Sequence, residues 1–120
     1  MKNILCTICA RGNSKGLKNK NLKRIKNKPL IHFTIDHAIK SKIFNKIVVC
    51  SDSFRILNYS KRIKEIDTLK RPVKLARDNT PKIPVIRYSL IEMEKKYNKK
   101  FDIIIDLDVT APLRKVSDII

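Results

Sequence analysis

Ile4-Leu5-Cys6-Thr7-Ile8-Cys9-Ala10-Arg11-Gly12-Asn13-Ser14-Lys15-Gly16 joins a short apolar run to a glycine-containing stretch that carries cations. Residues 3–9 are rich in strand formers and too short for a helix, so they read as a buried strand. The residues that follow would then leave the carboxyl end of that strand, where open α/β sheets place their ligands. Gly12 and Gly16 allow a tight turn with inward-facing amides, and Ser14 offers a hydroxyl. Arg11, Lys15 and Lys20 supply charge for a polyphosphate. Nine cations, Lys2 to Lys28, precede the first carboxylate at Asp36, so no side chain here neutralises another. The segment reads as a phosphate-binding loop. It is neither a Walker loop, which needs Gly-Lys-Ser/Thr after a four-residue spacer, nor the Gly-x-Gly-x-x-Gly dinucleotide fingerprint.

Outward from this loop the pattern alternates. Strands are expected at residues 3–9, 46–51, 66–69 and 101–107, and helices at 29–42, 53–63, 81–97 and from about 116. Pro81 suits a first helical turn capped by Thr80, and Ile83, Ile86, Leu90, Met93 and Tyr97 recur at helical spacing as a core face. The continuous run Ile103-Ile104-Ile105 implies a strand covered on both sides. The architecture this predicts is a three-layer α/β sandwich with a mostly parallel sheet, built as one domain over residues 1–120. The chain stops in what reads as a first helical turn, so the domain is expected to be C-terminally incomplete.

The 42% hydrophobic and 6% aromatic content fits an aliphatic interior. No apolar run approaches the roughly 20 residues that cross a bilayer, and nothing at the N-terminus reads as a secretory leader, so a cytoplasmic location is expected. Three cysteines point to free thiols in a reducing compartment. Cys6 and Cys9 are three apart on a strand and would face opposite sides of the sheet, against a redox or zinc pair. His32 and His37, five apart, miss the spacing that puts two ligands on one helix face.

The net charge of +17 raises nucleic-acid binding as an alternative. Lysines are spread along the whole chain, however, and only three Tyr and four Phe could stack on bases. Lys95-Lys96-Tyr97-Asn98-Lys99-Lys100 reads as a solvated helix end, where cations suit the negative pole of the helix dipole.

The motif Ala10-Arg11-Gly12-Asn13-Ser14-Lys15-Gly16, with Lys20-Asn21 four positions on, resembles the N-terminal signature of the acylneuraminate cytidylyltransferases, the CMP-sialic acid synthetases and their relatives. Asn13 replaces the usual glycine, and Asn is the residue next best able to take a left-handed backbone. Further blocks are similar in the same order: Lys28-Pro29-Leu30-Ile31, Val48-Val49-Cys50-Ser51-Asp52-Ser53, Lys70-Arg71-Pro72, Leu75-Ala76-Arg77-Asp78-Asn79-Thr80 and Leu107-Asp108-Val109-Thr110-Ala111-Pro112-Leu113-Arg114. Asp108 stands where Gln is common, Ala111 where Ser is common, and Phe54-Arg55 where acidic residues are usual. The Leu-Asp-Val-Thr form resembles the branch that acts on legionaminic-type sugars.

That resemblance implies a nucleotide-diphospho-sugar transferase-like, Rossmann-like fold, of which this chain is the N-terminal half. It implies transfer of a cytidylyl group from CTP to the anomeric hydroxyl of an acidic nine-carbon sugar, with Mg2+ or Mn2+ as cofactor and a homodimer in the complete protein. The alternatives are a basic nucleic-acid-binding module or an inactive nucleotidyltransferase fragment, and among enzymes a related nucleotidyltransferase using a different sugar or keto-acid is the closest competitor. By resemblance, Lys20 and Arg11 are the catalytic candidates, with Lys20 meeting charge at the α-phosphate. Ala10, Arg11, Gly12, Ser14, Lys15, Gly16, Lys20 and Asn21 would bind CTP, Asn21 near its ribose. Arg71, Ala76, Asp78 and Thr80 fall where the family reads cytosine; the plain alternative for Arg71 is an ordinary surface cation. Asp106, Asp108 and Thr110 would meet the sugar or the metal, with Asp108 the candidate ligand and further ligands beyond residue 120. Two carboxylates two apart on a strand share a face, while the plain alternative for Asp106 is solvent or a loop amide.

Overall fold

The computed structural model describes residues 2–10, 13–14, 17–18, 24–25, 28–72 and 82–109. Four parallel strands form the central sheet: β1 (Ile4–Ala10), β6 (Lys46–Ser51), β7 (Ile66–Lys70) and β8 (Ile103–Asp106), in the order β7-β6-β1-β8. Between β1 and the first helix lie two antiparallel ribbons of two residues a side. These are β2 (Asn13–Ser14) with β3 (Leu17–Lys18), and β4 (Arg24–Ile25) with β5 (Lys28–Pro29). Three helices complete the described elements: α1 (Leu30–Ser41), α2 (Phe54–Lys61) and α3 (Lys82–Tyr97).

The strand order follows from the handedness of parallel connections. The chain leaves β1, returns through α1 to β6, and returns through α2 to β7, moving steadily to one side. It then crosses back through α3 to pair β8 with the other edge of β1. A right-handed crossover in the reversed direction must use the opposite face of the sheet. Accordingly Ile31, Ile35 and Ala38 of α1 and Ile56 of α2 pack with Cys6, Ile8, Ala10, Ile47 and Val49 on one face. Met93 of α3 packs with Leu5 and Val48 on the other, with Leu90, Tyr97 and Phe101 beside them. This is the three-layer α/β sandwich the sequence predicts. Cys6 lies in the first cluster and Cys9 points to the opposite face, and both are free thiols, as is Cys50.

Local chemistry sets the element ends. Ser53, extended at φ −97°, caps α2 by accepting from the Ile56 amide at 3.4 Å. Lys42 (φ 58°) follows α1, and Asn98 (φ 50°) follows α3, both in the left-handed region where glycine is favoured. The Lys99 amide then closes back on the Glu94 carbonyl at 3.3 Å, which seals the end of α3.

Three expectations need correction. Ile83 was assigned to the core face of α3, but it is 65% exposed; the buried stripe is Val85, Ser89 and Met93. Apolar periodicity misses this register because Ser89 stands in the middle of it, its hydroxyl satisfied by the Val85 carbonyl at 3.0 Å. Ile103 is 37% exposed, since β8 is the sheet edge among the described residues. Asn13 is extended in β2, opposite Lys18, rather than left-handed. The two ribbons were not anticipated, because two-residue strands carry no periodicity. The Thr80–Pro81 cap and the helix expected from about 116 lie outside the described residues.

Candidate active site

The strand order reverses between β1 and β8, and the carboxyl ends of these strands mark a topological switch point, where doubly wound sheets hold their ligands. Ala10 ends β1, Ser51 ends β6 and Asp106 ends β8. Arg71 follows β7 directly, its amide donating to the Ser51 carbonyl at 2.7 Å, so the ladder runs one residue past the strand.

The stretch Ile105-Asp106-Leu107-Asp108-Val109 keeps the strand alternation. Leu107 and Val109 are buried with Ile105 against the α1–α2 core, which turns Asp106 and Asp108 to the α3 face. There Lys82, the first residue of α3, pairs with both: its Nζ lies 2.6 Å from Asp106 Oδ2 and also contacts Asp108 Oδ1. The other Asp106 oxygen accepts from Thr7 Oγ1 at 2.8 Å. Asp106 is therefore neither solvated nor a loop cap, with its side chain 15% exposed against 63% for Asp108. The Asp108 carbonyl accepts from Thr34 Oγ1 at 3.4 Å, which ties this corner to α1. Partial burial alone would lower the Lys82 pKa, but the hydrogen bonds it donates to Asp106 and Asp108 outweigh it and hold the ammonium above its ordinary value.

Arg71 is not a surface cation. It is 5% exposed, and its Nε is buried without a hydrogen-bond partner among the described residues. Burial pushes the neighbouring Cys50 thiol up, while the Ser89 hydroxyl and the Arg71 guanidinium oppose that. Cys9, the register partner of Cys50, is pushed up to about 12 by burial first and then by the Asp106 carboxylate and Cys50, against Arg71 and Lys82. Cys9, Cys50, Arg71, Lys82 and Asp106 thus sense one another's charge on one face of the sheet.

Of the site residues inferred from sequence, Ala10, Arg71, Asp106 and Asp108 come to this carboxyl edge. Ser14 is placed by its backbone in β2, opposite Leu17. Arg11, Gly12, Lys15, Gly16, Lys20, Asn21, Ala76, Asp78, Thr80 and Thr110 lie outside the described residues. Sequence reasoning missed Thr7 and Lys82. One signal for Lys82 was available: a lysine in the first turn of a helix with no acidic residue there opposes the helix dipole and needs carboxylates from elsewhere.

A cavity of about 290 Å³ lies at the amino end of the sheet, lined by Asn45, Lys46, Asp67 and Tyr97 among others. Its polar groups serve one another. Asp67 accepts from Lys96 Nζ and from Tyr97 Oη, both at 2.6 Å, and Lys46 Nζ stands 4.2 Å from the Tyr97 ring centre.

A parallel sheet with helices on both faces and charged groups gathered at its switch point defines an α/β fold of the doubly wound kind. The chain belongs to the cytidylyltransferase family, whose model matches residues 5–119. It is 45% identical over 120 residues to the post-translational flagellin modification protein B of Campylobacter coli, covering 100% of this chain and 51% of that protein. It is 44% identical over 112 residues to the CMP-N,N'-diacetyllegionaminic acid synthase of Campylobacter jejuni subsp. jejuni serotype O:2, covering 93% and 48%. The fold matches that of CMP:2-keto-3-deoxy-manno-octonic acid synthetase complexed with CTP at a TM-score of 0.73 and 21% identity, over 98% of this chain and 44% of that one. The chain therefore spans about half the length of these two Campylobacter relatives.

Proposed function

We propose that this chain is the CTP-binding half of an enzyme that transfers a cytidylyl group to the anomeric hydroxyl of an acidic nine-carbon sugar of the legionaminic or sialic type, releasing pyrophosphate. The observation that carries this reading is the convergence of Asp106 and Asp108 at the switch point, beside the end of the strand that leads into Arg11 and Gly12. Membership of the cytidylyltransferase family and likeness to a legionaminic acid synthase support the nucleotide and the sugar class.

In this reading Ala10, Gly12 and Gly16 shape the loop, and Arg11, Ser14, Lys15 and Lys20 hold the triphosphate, with Lys20 meeting charge that develops at the α-phosphate. Asn21 faces the ribose. Arg71, with Ala76, Asp78 and Thr80, reads cytosine; a buried guanidinium with an unpaired donor has a reason to take a base acceptor. Asp108 and Thr110 face the sugar. Hard carboxylate oxygens at Asp106 and Asp108 fit Mg2+ or Mn2+, which accept one or two protein carboxylates and complete their shell with phosphate and water. When bound, such an ion neutralises the phosphates and aligns the α-phosphorus for in-line attack. We further propose a cytoplasmic homodimer for the complete protein; the three free thiols suit a reducing compartment. No helix of the described residues is long and apolar enough to cross a membrane. Two lysines around the end of α3 pair within the chain, Lys96 with Asp67 and Lys100 with Glu94, which speaks against this cluster as a nucleic-acid surface.

The test is pyrophosphate release by the full-length protein from CTP with N,N'-diacetyllegionaminic, N-acetylneuraminic or pseudaminic acid. Release with at least one of these and not with a neutral hexose is the expected result. Release with none, under conditions where CTP binds, overturns the sugar class.

A further inference from the structure

We propose that the outer face of α2 is a membrane-attachment surface, on which Phe54 and the cations around it bind a bilayer that carries anionic lipid. This surface is independent of the site chemistry above. Within α2, Ile56 and Ser60 are buried, and Tyr59 and the following Ile63 pack against the same core. At 3.6 residues per turn this sends Phe54, Arg55, Asn58, Lys61 and Arg62 outward, and all five are exposed. No carboxylate stands between Ser53 and Lys64, so the face carries one sign of charge. Among the described residues none of Arg55, Lys61, Arg62 and Lys64 forms a salt bridge, whereas Lys40, Lys82, Lys95, Lys96 and Lys100 all do.

Phe54 adds an apolar element. Its ring is 69% exposed at the start of the helix, and the Lys70 ammonium, at the end of β7, lies 4.7 Å from the ring centre. The basic face therefore runs from the helix onto the sheet edge with an aromatic ring inside it. Such a set suits a bilayer interface, where the ring enters the headgroup–acyl boundary and long Lys and Arg side chains reach the lipid phosphates. Other occupants fit less well. An eight-residue helix is about 12 Å long and roughly 10 Å across, too small by itself for the ~800 Å² that each partner buries in a stable protein interface. A second copy would bring a net charge of +17 against +17. Single-stranded nucleic acid is held on successive stacking rings, and this face presents one. Because Phe54 follows closely on Ser51, at the carboxyl end of β6, attachment here holds the switch-point edge of the sheet toward the bilayer.

The experiment is co-sedimentation of the full-length protein with vesicles of phosphatidylglycerol mixed with phosphatidylcholine, and with vesicles of phosphatidylcholine alone, at low and high salt. Wild type should bind the anionic vesicles at least about tenfold more tightly than the neutral ones and lose most of that preference at high salt. Lys61→Glu with Arg62→Glu should weaken binding by at least about tenfold. Lys95→Glu with Lys99→Glu, the same change in net charge made around the end of α3, should leave it near wild type. Phe54→Ser should weaken binding and keep its salt dependence, and thermal midpoints recorded in parallel establish that each variant is folded. Equal binding to both kinds of vesicle, or binding to neither, overturns the proposal. An equal loss in the two double variants overturns it too, since net charge and not this face would then be responsible. Phe54→Ser binding as wild type does overturns the role of the ring. A short single-stranded RNA that binds wild type and not Lys61→Glu with Arg62→Glu, in the absence of vesicle binding, overturns the proposal in favour of nucleic acid.

Discussion

Thr7 and Asp106 are register partners across the β1–β8 ladder, and the Thr7 hydroxyl donates to Asp106 Oδ1 at 2.8 Å. Thr7 is fully buried in the central strand, so it fixes the Asp106 carboxylate from the most rigid part of the fold. A hydrogen bond to a charged acceptor contributes about 1.5–3 kcal/mol. Thr7→Val, equal in shape but without a donor, should lower the urea unfolding free energy by that amount, and Thr7→Ser should retain most of it. A value for Thr7→Val within about 0.3 kcal/mol of wild type would show that the bond contributes nothing net.

CTP with magnesium should raise the thermal midpoint of the full-length protein. Saturation near 100 times Kd corresponds to about 2.7 kcal/mol of stabilisation. Lys20→Ala should abolish the shift and Arg71→Ala should reduce it, whereas Lys99→Ala, beyond the far end of α3, should leave it intact. Equal shifts with ATP, GTP and CTP would contradict a cytosine-reading role for Arg71.

Asp108→Asn keeps shape and removes charge. If Asp108 holds the metal, turnover should fall by at least about tenfold and partly recover at high magnesium or manganese. If it meets the sugar, the Michaelis constant for sugar should rise while CTP binding is unchanged. Steady-state kinetics with each substrate varied in turn separate the two, and unchanged values on both axes would remove Asp108 from the site.

The Cys9 thiol gives a pH signature. Its pKa is pushed from 9.0 up to about 12 in the folded state, so the folded protein holds its proton where the unfolded chain has lost it. The resulting stability is fully present below about pH 9 and is lost between 9 and 12, at up to about 1.4 kcal/mol per pH unit. Urea midpoints from pH 7.5 to 10.5 should fall more steeply for wild type than for Cys9→Ala. Parallel slopes would mean that Cys9 titrates freely. For the same reason Cys9 should react slowly with thiol reagents at pH 8.

Every central strand and every helix among the described residues was legible because its signal is local. Ile4–Ala10 and Lys46–Ser51 are short apolar runs, and the Ile105-Asp106-Leu107-Asp108-Val109 alternation already puts both carboxylates on one face. α3 shows the limit of that reading. Apolar spacing selected Ile83 and overlooked Ser89, because a buried hydroxyl that bonds to its own helix looks polar in the sequence and packs as core.

The order of the central strands and helices, the accumulation of cations before Asp36 and the shared face of Asp106 and Asp108 are all written in the chain itself. These depend on residue type and on periods of 2 and 3.6, which the chain carries along its own length. That β8 pairs with β1 rather than with β7, that Thr7 and Lys82 close on Asp106 from two other elements, and that Arg71 is buried emerge only once the chain has folded. Those outcomes depend on residues tens of positions apart meeting across a sheet, and on the crossover handedness that sends α3 to the opposite face.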